Sequence, residues 1–122
     1  MATFFSRLFG GSKTLGAAWI GIDDLREQIG SGDPMVLIDV RQPEEYAAQP
    51  GHLPGAINLP LPDLPGRIAE IAAHKKPIVL VCKTDRRSAR AAETLLAAGL
   101  TEIAILRGGT DGWHEQGLPL EL

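Results

Sequence analysis

The only cysteine of this 122-residue chain, Cys82, is followed by a short segment rich in cations. It comes directly after the apolar residues 77–81, and Lys83, Arg86 and Arg87 follow within five positions. The thiolate, rather than the thiol, is the nucleophilic form of cysteine, and nearby cations favour it. The pattern therefore predicts a nucleophilic cysteine beside an anion cradle.

The alternative is a structural cysteine, because free cysteine is among the most buried residue types. A buried structural sulfur has no use for three adjacent cations, so these favour the reactive thiol. The spacing narrows the chemistry further. Arg87 closes a Cys-x4-Arg loop and Ser88 follows it, whereas cysteine phosphatases need Cys-x5-Arg to surround a tetrahedral phosphate. The shorter loop suits a group about the size of one added sulfur atom. A cysteine phosphatase or an arsenate reductase is therefore a lower-ranked interpretation of this loop.

Two predicted elements position Cys82. Residues 77–81 are mostly branched and apolar, which is typical of a buried parallel strand, and residues 88–98 have the spacing of a helix. The cysteine therefore lies in a strand-to-helix turn, at the strand end where open α/β sheets bind their ligands. Free backbone N–H groups and the helix dipole favour negative charge there, so we expect this thiol to ionise more readily than a free one.

Strand and helix patterns alternate along the rest of the chain. The predicted strands are residues 19–22, 35–40, a brief strand around Ile57, 77–81 and 103–106. The predicted helices are a helix capped by Asp23 or Asp24 and ending at Gly30, then residues 43–48, 62–74, 88–98 and a short helix after residues 108–113. This alternation predicts a three-layer α/β fold with a mainly parallel sheet. Asp39 and Arg41 then fall at the same sheet edge as Cys82.

Composition limits the class of protein. The chain has the length of one domain, which we place at residues 17–122 after an apolar tail and glycine-rich join at residues 1–16. The formal net charge of −3 gives no general attraction to nucleic acid. No apolar stretch approaches the roughly 20 residues of a membrane span. Because one cysteine cannot form an internal disulfide, we expect a cytoplasmic protein.

The tail contains all three phenylalanines, Phe4, Phe5 and Phe9. Such a cluster either docks on its own domain or contacts a second subunit, a partner or a membrane surface. The sequence leaves both interpretations open.

Four motifs in order carry a resemblance to a known family. They are Ile38-Asp39-Val40-Arg41 with Glu44, Glu45 and Tyr46; Gly51-His52-Leu53-Pro54-Gly55-Ala56-Ile57-Asn58; the loop at residues 82–88; and Gly108-Gly109 through Trp113 to Gly117-Leu118-Pro119. With these motifs at these intervals, residues 19 to 120 resemble the rhodanese family of single-domain sulfurtransferases. The resemblance implies a five-stranded parallel sheet between helices. It also implies a thiosulfate sulfurtransferase with a covalent persulfide on Cys82 and no cofactor.

The resemblance also implies roles for the residues around Cys82. The nucleophile would take sulfur from thiosulfate or another small anionic donor, or from a persulfide, and pass it to cyanide, a thiol or a protein acceptor. The expected substrate-binding residues are Lys83, Thr84, Asp85, Arg86, Arg87 and Ser88. Asp39 is expected either to bind the loop or to pair with Arg41. Asp39 and Arg41 are both expected to be supporting residues. The histidines show no metal-ligand spacing, His52 is expected to fix a loop, and Arg90 is expected to be a surface residue.

One loop position departs from the family. Active rhodaneses commonly have glycine where this chain has Asp85, at a sharp backbone turn. Aspartate tolerates the left-handed conformation better than most residues, so we expect the cradle to form, with an added negative charge near the anionic donor. Asp85 therefore keeps a second function open, a rhodanese-like binding or redox-sensing module with little turnover.

Overall fold

The computed structural model describes residues 16–122, which contain a five-stranded parallel sheet with helices around it. The strands are β1 (Ala18–Ile20), β2 (Val36–Asp39), β3 (Ile57–Asn58), β4 (Ile78–Val81) and β5 (Ile103–Leu106). The helices are α1 (Ile22–Gly30), α2 (Pro43–Ala47), α3 (Ile68–Ala72), α4 (Arg86–Ala97) and α5 (Gly109–Glu115), with a 3-10 helix at Leu61–Gly66. The predicted fold class is confirmed. The predicted contacts of Phe4, Phe5 and Phe9 lie outside the described residues.

The strand order β1-β5-β4-β2-β3 places β4 at the centre of the sheet. Strands β2 and β4 pair in parallel, with Asp39 level with Val81. The next residue after Val81 is Cys82, so the cysteine and Asp39 meet at the carboxyl edge of the sheet, as predicted. This is the edge where parallel α/β sheets place their ligand sites.

The core has two layers because successive strand residues face opposite sides of the sheet. Ile78, Leu80 and Cys82 belong to the layer that also contains Ile71 of α3 and Leu95 of α4. The intervening Val79 and Val81 belong to the other layer, with Leu25 of α1 and Trp113 of α5. The alternation along β4 therefore delivers the cysteine side chain to the α4 side of the sheet.

The helix predicted over residues 62–74 is wrong, because the structure divides this segment into the 3-10 helix and α3. Pro65 lacks a backbone N–H and disfavours an α conformation at Leu64 before it. Arg67, at the junction, has a φ of −120° that interrupts the helix.

Two helix starts also differ from the prediction. Helix α1 begins at Ile22, so Asp23 and Asp24 lie in its first turn and make no side-chain cap. Helix α4 begins at Arg86, two residues earlier than expected, which brings the loop arginines into the helix. Within residues 16–122, none of the helices has the length and apolar character needed to cross a membrane.

Candidate active site around Cys82

Cys82 lies at the bottom of an open cavity of about 380 Å³. The residue is only 1% exposed, so a reactant must approach its sulfur through this cavity. The cavity walls come from the loop, from α4 and from the 3-10 helix. The lining residues are Leu61, Cys82, Lys83, Thr84, Arg86, Arg87 and Arg90.

The carbonyl side of the Cys82 loop packs against the start of α5. The N–H of Thr110 donates to the Cys82 carbonyl over 2.9 Å, and the N–H of Asp111 donates to the Lys83 carbonyl over 3.0 Å. Gly109, with a φ of +57°, lies so close that a β-carbon would overlap the carbonyl oxygens of Cys82, Lys83 and Thr84. Glycine is therefore required at this contact, which fixes the direction of the loop carbonyls.

The N–H groups of the same loop are available to a ligand. None of the backbone N–H groups of residues 83–88 donates to an acceptor within the described part of the chain. Three of them belong to the first turn of α4, where helical N–H groups have no partner inside the helix. Successive N–H groups of this kind form a concave anion-binding site. The arrangement can hold a negatively charged group on the Cys82 sulfur.

Ser88 contacts the cysteine directly. Its Oγ lies 3.3 Å from Cys82 Sγ, and its hydroxyl donates to the Asp85 carbonyl over 3.1 Å. Ser88 is fully buried, so its hydroxyl has few other partners. When the sulfur is a thiolate, which can only accept, the single hydroxyl hydrogen of Ser88 turns from the Asp85 carbonyl to the sulfur.

Asp85 does not occupy the position expected from the sequence. Its φ is −132°, so it does not adopt the left-handed conformation. Its carboxylate accepts a hydrogen bond of 2.7 Å from the N–H of Gly108, and Asp85 is absent from the cavity lining. The left-handed residues of this region are the glycines Gly108 and Gly109, with φ of +87° and +57°. Asp85 thus ties the loop to the turn before α5, and its charge does not face the cavity.

Two of the loop cations form ion pairs. Lys83 Nζ lies 2.7 Å from Asp111, and the guanidinium of Arg87 makes two hydrogen bonds to Glu45, of 2.6 and 3.1 Å. The hydrogen bond from Arg87 lowers the pKa of Glu45 to about 2. The same contact raises the pKa of Arg87. Glu45 therefore holds Arg87 at the cavity wall.

Asp39 pairs with Arg41 rather than with the Cys82 loop. The guanidinium makes three hydrogen bonds to the Asp39 carboxylate, of 2.9 to 3.1 Å, and a fourth to the Gly51 carbonyl over 3.0 Å. Asp39 is fully buried and Arg41 is 5% exposed. This pair supports the sheet edge, and neither residue lines the cavity that contains Cys82.

Two cavity residues, Leu61 and Arg90, are not among the predicted site residues, and Arg90 is exposed at the surface as expected. The i, i+4 spacing of Arg86 and Arg90 puts both on one face of a helix, and this signal was available. Leu61 could not be found, because the turn that brings the 3-10 helix over the cysteine has no sequence signature.

The buried histidine, His52, takes a structural position. His52 stacks on Tyr46 with a ring-centroid distance of 3.7 Å, and its Nδ1 lies 3.1 Å from the Tyr46 carbonyl. His52 thus fixes its loop, as expected. Across residues 16–122, no group of three or more His, Cys, Asp or Glu residues has an arrangement that could hold a metal ion.

Comparison with known proteins places these features in a family. A family model described as the rhodanese-like domain matches residues 22–116. A sulfurtransferase of Allochromatium vinosum is 32% identical over 101 residues, which cover 83% of this chain and 92% of that protein. An uncharacterized protein of Bacillus subtilis is 48% identical over 77 residues, which cover 63% of this chain and 59% of that protein. The chain therefore spans little more than half of that second relative.

Solved structures agree with the fold. A human single-domain sulfurtransferase superimposes with a TM-score of 0.70 and 30% identity, covering 83% of this chain and 98% of that one. A thiosulfate sulfurtransferase from Pseudomonas aeruginosa gives a TM-score of 0.76 and 28% identity. That match covers 97% of this chain and 22% of the larger protein.

Removing Arg41 should destabilise the protein far more than removing an exposed arginine. Arg41→Ala leaves Asp39 buried and unpaired, which should lower the free energy of unfolding by about 3–5 kcal/mol. Arg67→Ala is the matched control, because Arg67 pairs with Glu70 at the surface and such pairs contribute about 0–1 kcal/mol. Urea unfolding measures both. Equal losses would mean that the Asp39–Arg41 pair does not support the fold.

The Glu45–Arg87 pair should give a pH-dependent stabilisation. Folding lowers the pKa of Glu45 from 4.5 to about 2, so the stabilisation is present above pH 4.5 and is lost as the pH falls toward 2. Glu45→Gln should therefore lower the free energy of unfolding by up to about 1 kcal/mol at pH 7, because the pair is partly exposed.

Urea unfolding from pH 7 to pH 3 tests this, and the difference between wild type and Glu45→Gln should shrink at the acid end. Glu44→Gln is the control, because Glu44 is exposed on the same helix and makes no ion pair within residues 16–122. A Glu45→Gln effect that does not change with pH would contradict the assignment.

Proposed function

The chain belongs to the rhodanese-like domain family, and we propose that it is a sulfurtransferase that carries one sulfur atom as a persulfide on Cys82. The observation that carries the proposal is the row of backbone N–H groups at residues 83–88, which follow the cysteine and have no acceptor in the described chain. A persulfide has a negatively charged outer sulfur, and such a row of donors stabilises it.

In the first half-reaction the Cys82 thiolate attacks the outer sulfur of thiosulfate. A bond forms between Sγ and that sulfur, the sulfur–sulfur bond of the donor breaks, and sulfite leaves with its electron pair. The Ser88 hydroxyl, 3.3 Å from Sγ, orients the thiolate. The cationic side chains of the cavity attract the dianionic donor and the leaving sulfite.

In the second half-reaction an acceptor removes the sulfur. A sulfur–sulfur bond is about 2.05 Å long, so the outer sulfur extends from the buried Sγ into the cavity, where an acceptor reaches it. A thiolate acceptor attacks this sulfur and becomes a persulfide, while cyanide becomes thiocyanate. In both cases the Cys82 thiolate is the leaving group, so the cycle needs no cofactor.

For the sulfur acceptor we propose only a chemical class, which is a thiol or cyanide. We also propose a cytoplasmic location. A chain with one cysteine has no internal disulfide to keep, which is compatible with a reducing compartment such as the cytoplasm.

The second function, a binding or redox-sensing module with little turnover, depends on Asp85. Its carboxylate was expected to repel an anionic donor. Because the N–H of Gly108 holds that carboxylate and Asp85 does not line the cavity, the repulsion is weaker than the sequence suggests. The geometry therefore favours turnover over sensing.

Sulfur loading can be measured directly. After incubation with thiosulfate and removal of the excess, intact-mass analysis should show a gain of about 32 Da, with one sulfite released per protein. Because the chain has one cysteine, the gain can be assigned to Cys82 without digestion. Cys82→Ser is the control, since it is close in size and should show no gain.

The loaded protein should then lose the added mass on treatment with cyanide, and thiocyanate should appear in the same amount. A wild-type protein that gains no mass with thiosulfate or with an organic persulfide would refute the sulfurtransferase function. Loading that persists in Cys82→Ser would refute the role of the cysteine.

A further inference from the structure

The cations of the Cys82 cavity fall into two sets. Lys83 and Arg87 are paired with Asp111 and Glu45. Arg86 and Arg90 have no carboxylate within ion-pair distance among residues 16–122, although both line the cavity. The charge left to a ligand therefore comes mainly from Arg86 and Arg90.

The position of this second set is unfavourable for the helix itself. Arg86 is the first residue of α4, and Arg90 follows one turn later on the same face. Like charges at i, i+4 destabilise a helix, and cations are disfavoured near its positive end. The first turn contains no acidic residue to offset them. The two arginines therefore do not stabilise α4, and a bound anion would reduce the repulsion between them.

The cavity is also larger than thiosulfate requires. Its volume of about 380 Å³ falls within the roughly 300–1,000 Å³ of pockets that bind organic ligands, whereas thiosulfate has only five heavy atoms. Leu61 adds an apolar side chain to the lining. A donor with an organic body and an anionic group would use the apolar side chain and the free arginines together.

We infer that Arg86 and Arg90 form an outer anion subsite that selects organic persulfide donors carrying a carboxylate. This inference deepens the proposed function and rests on it. In the step that it implies, the Cys82 thiolate bonds to the outer sulfur of the donor R–S–S⁻. The sulfur–sulfur bond of the donor breaks, and R–S⁻ leaves with the electron pair. The carboxylate on R binds the two arginines and does not react.

Two donors that differ at one end test the subsite. The persulfides of 3-mercaptopropionate and of 2-mercaptoethanol carry a carboxylate and a hydroxyl respectively. The readout is the ratio of their second-order loading rates, followed by intact mass at low ionic strength. In the wild type this ratio should favour the carboxylate donor, and it should fall about two- to fivefold in Arg90→Ala and again in the double variant with Arg86→Ala.

Arg26→Ala is the matched control, because Arg26 is exposed on α1 and lines none of the cavity walls. Arg26→Ala should keep the wild-type ratio of loading rates. Arg90→Lys should restore part of the preference that is lost in Arg90→Ala. Added salt should reduce the wild-type preference but not that of the double variant.

The possible results distinguish the sulfurtransferase function from the outer anion subsite. A wild type that loads from neither donor refutes the sulfurtransferase function. A wild type that loads from both donors without preference refutes the outer subsite alone. A preference that survives in the double variant also refutes it, because another part of the cavity would then recognise the carboxylate.

Discussion

The site depends on one close approach, between the carbonyl oxygens of the Cys82 loop and the first residues of α5. Gly109 has no room for a β-carbon there, and the N–H groups of Thr110 and Asp111 bind the loop carbonyls. A peptide unit has its N–H and C=O on opposite sides. When one surface binds the carbonyls, the N–H groups are left for the other side of the loop. The last helix of the domain therefore prepares the anion site without contacting the substrate.

The charges around the cysteine follow from the same arrangement. Asp85 takes part in the close approach through the N–H of Gly108, so its carboxylate is bound on the α5 side of the loop. Glu45 and Asp111 come from other elements and each holds one cation in place. What remains toward solvent is a cavity with an excess of positive charge over a nearly inaccessible sulfur. Such a site attracts small anions and holds a charged sulfur away from bulk water.

The sequence predicted the parts of this structure that depend on local pattern. The apolar run before Cys82 and the strand at residues 103–106 form as expected, since branched apolar residues favour buried parallel strands. The roles of Asp85 and Gly109 could not be predicted, because they depend on a contact between segments more than 20 residues apart in the chain. The same holds for the Glu45–Arg87 pair, which joins α2 to α4. The division of the predicted helix at residues 62–74 has a local cause, because Pro65 disfavours an α conformation at the residue before it.

The proposed sulfur chemistry requires that the backbone N–H groups of residues 83–88 stabilise the outer sulfur on Cys82. A high-resolution crystal structure of the protein loaded with sulfur tests it most directly. The outer sulfur should lie within hydrogen-bonding distance of several of these nitrogens, while the loop carbonyls keep their bonds to Thr110 and Asp111. An outer sulfur turned away from the loop, or a loop whose N–H groups have rotated onto protein acceptors, would contradict it.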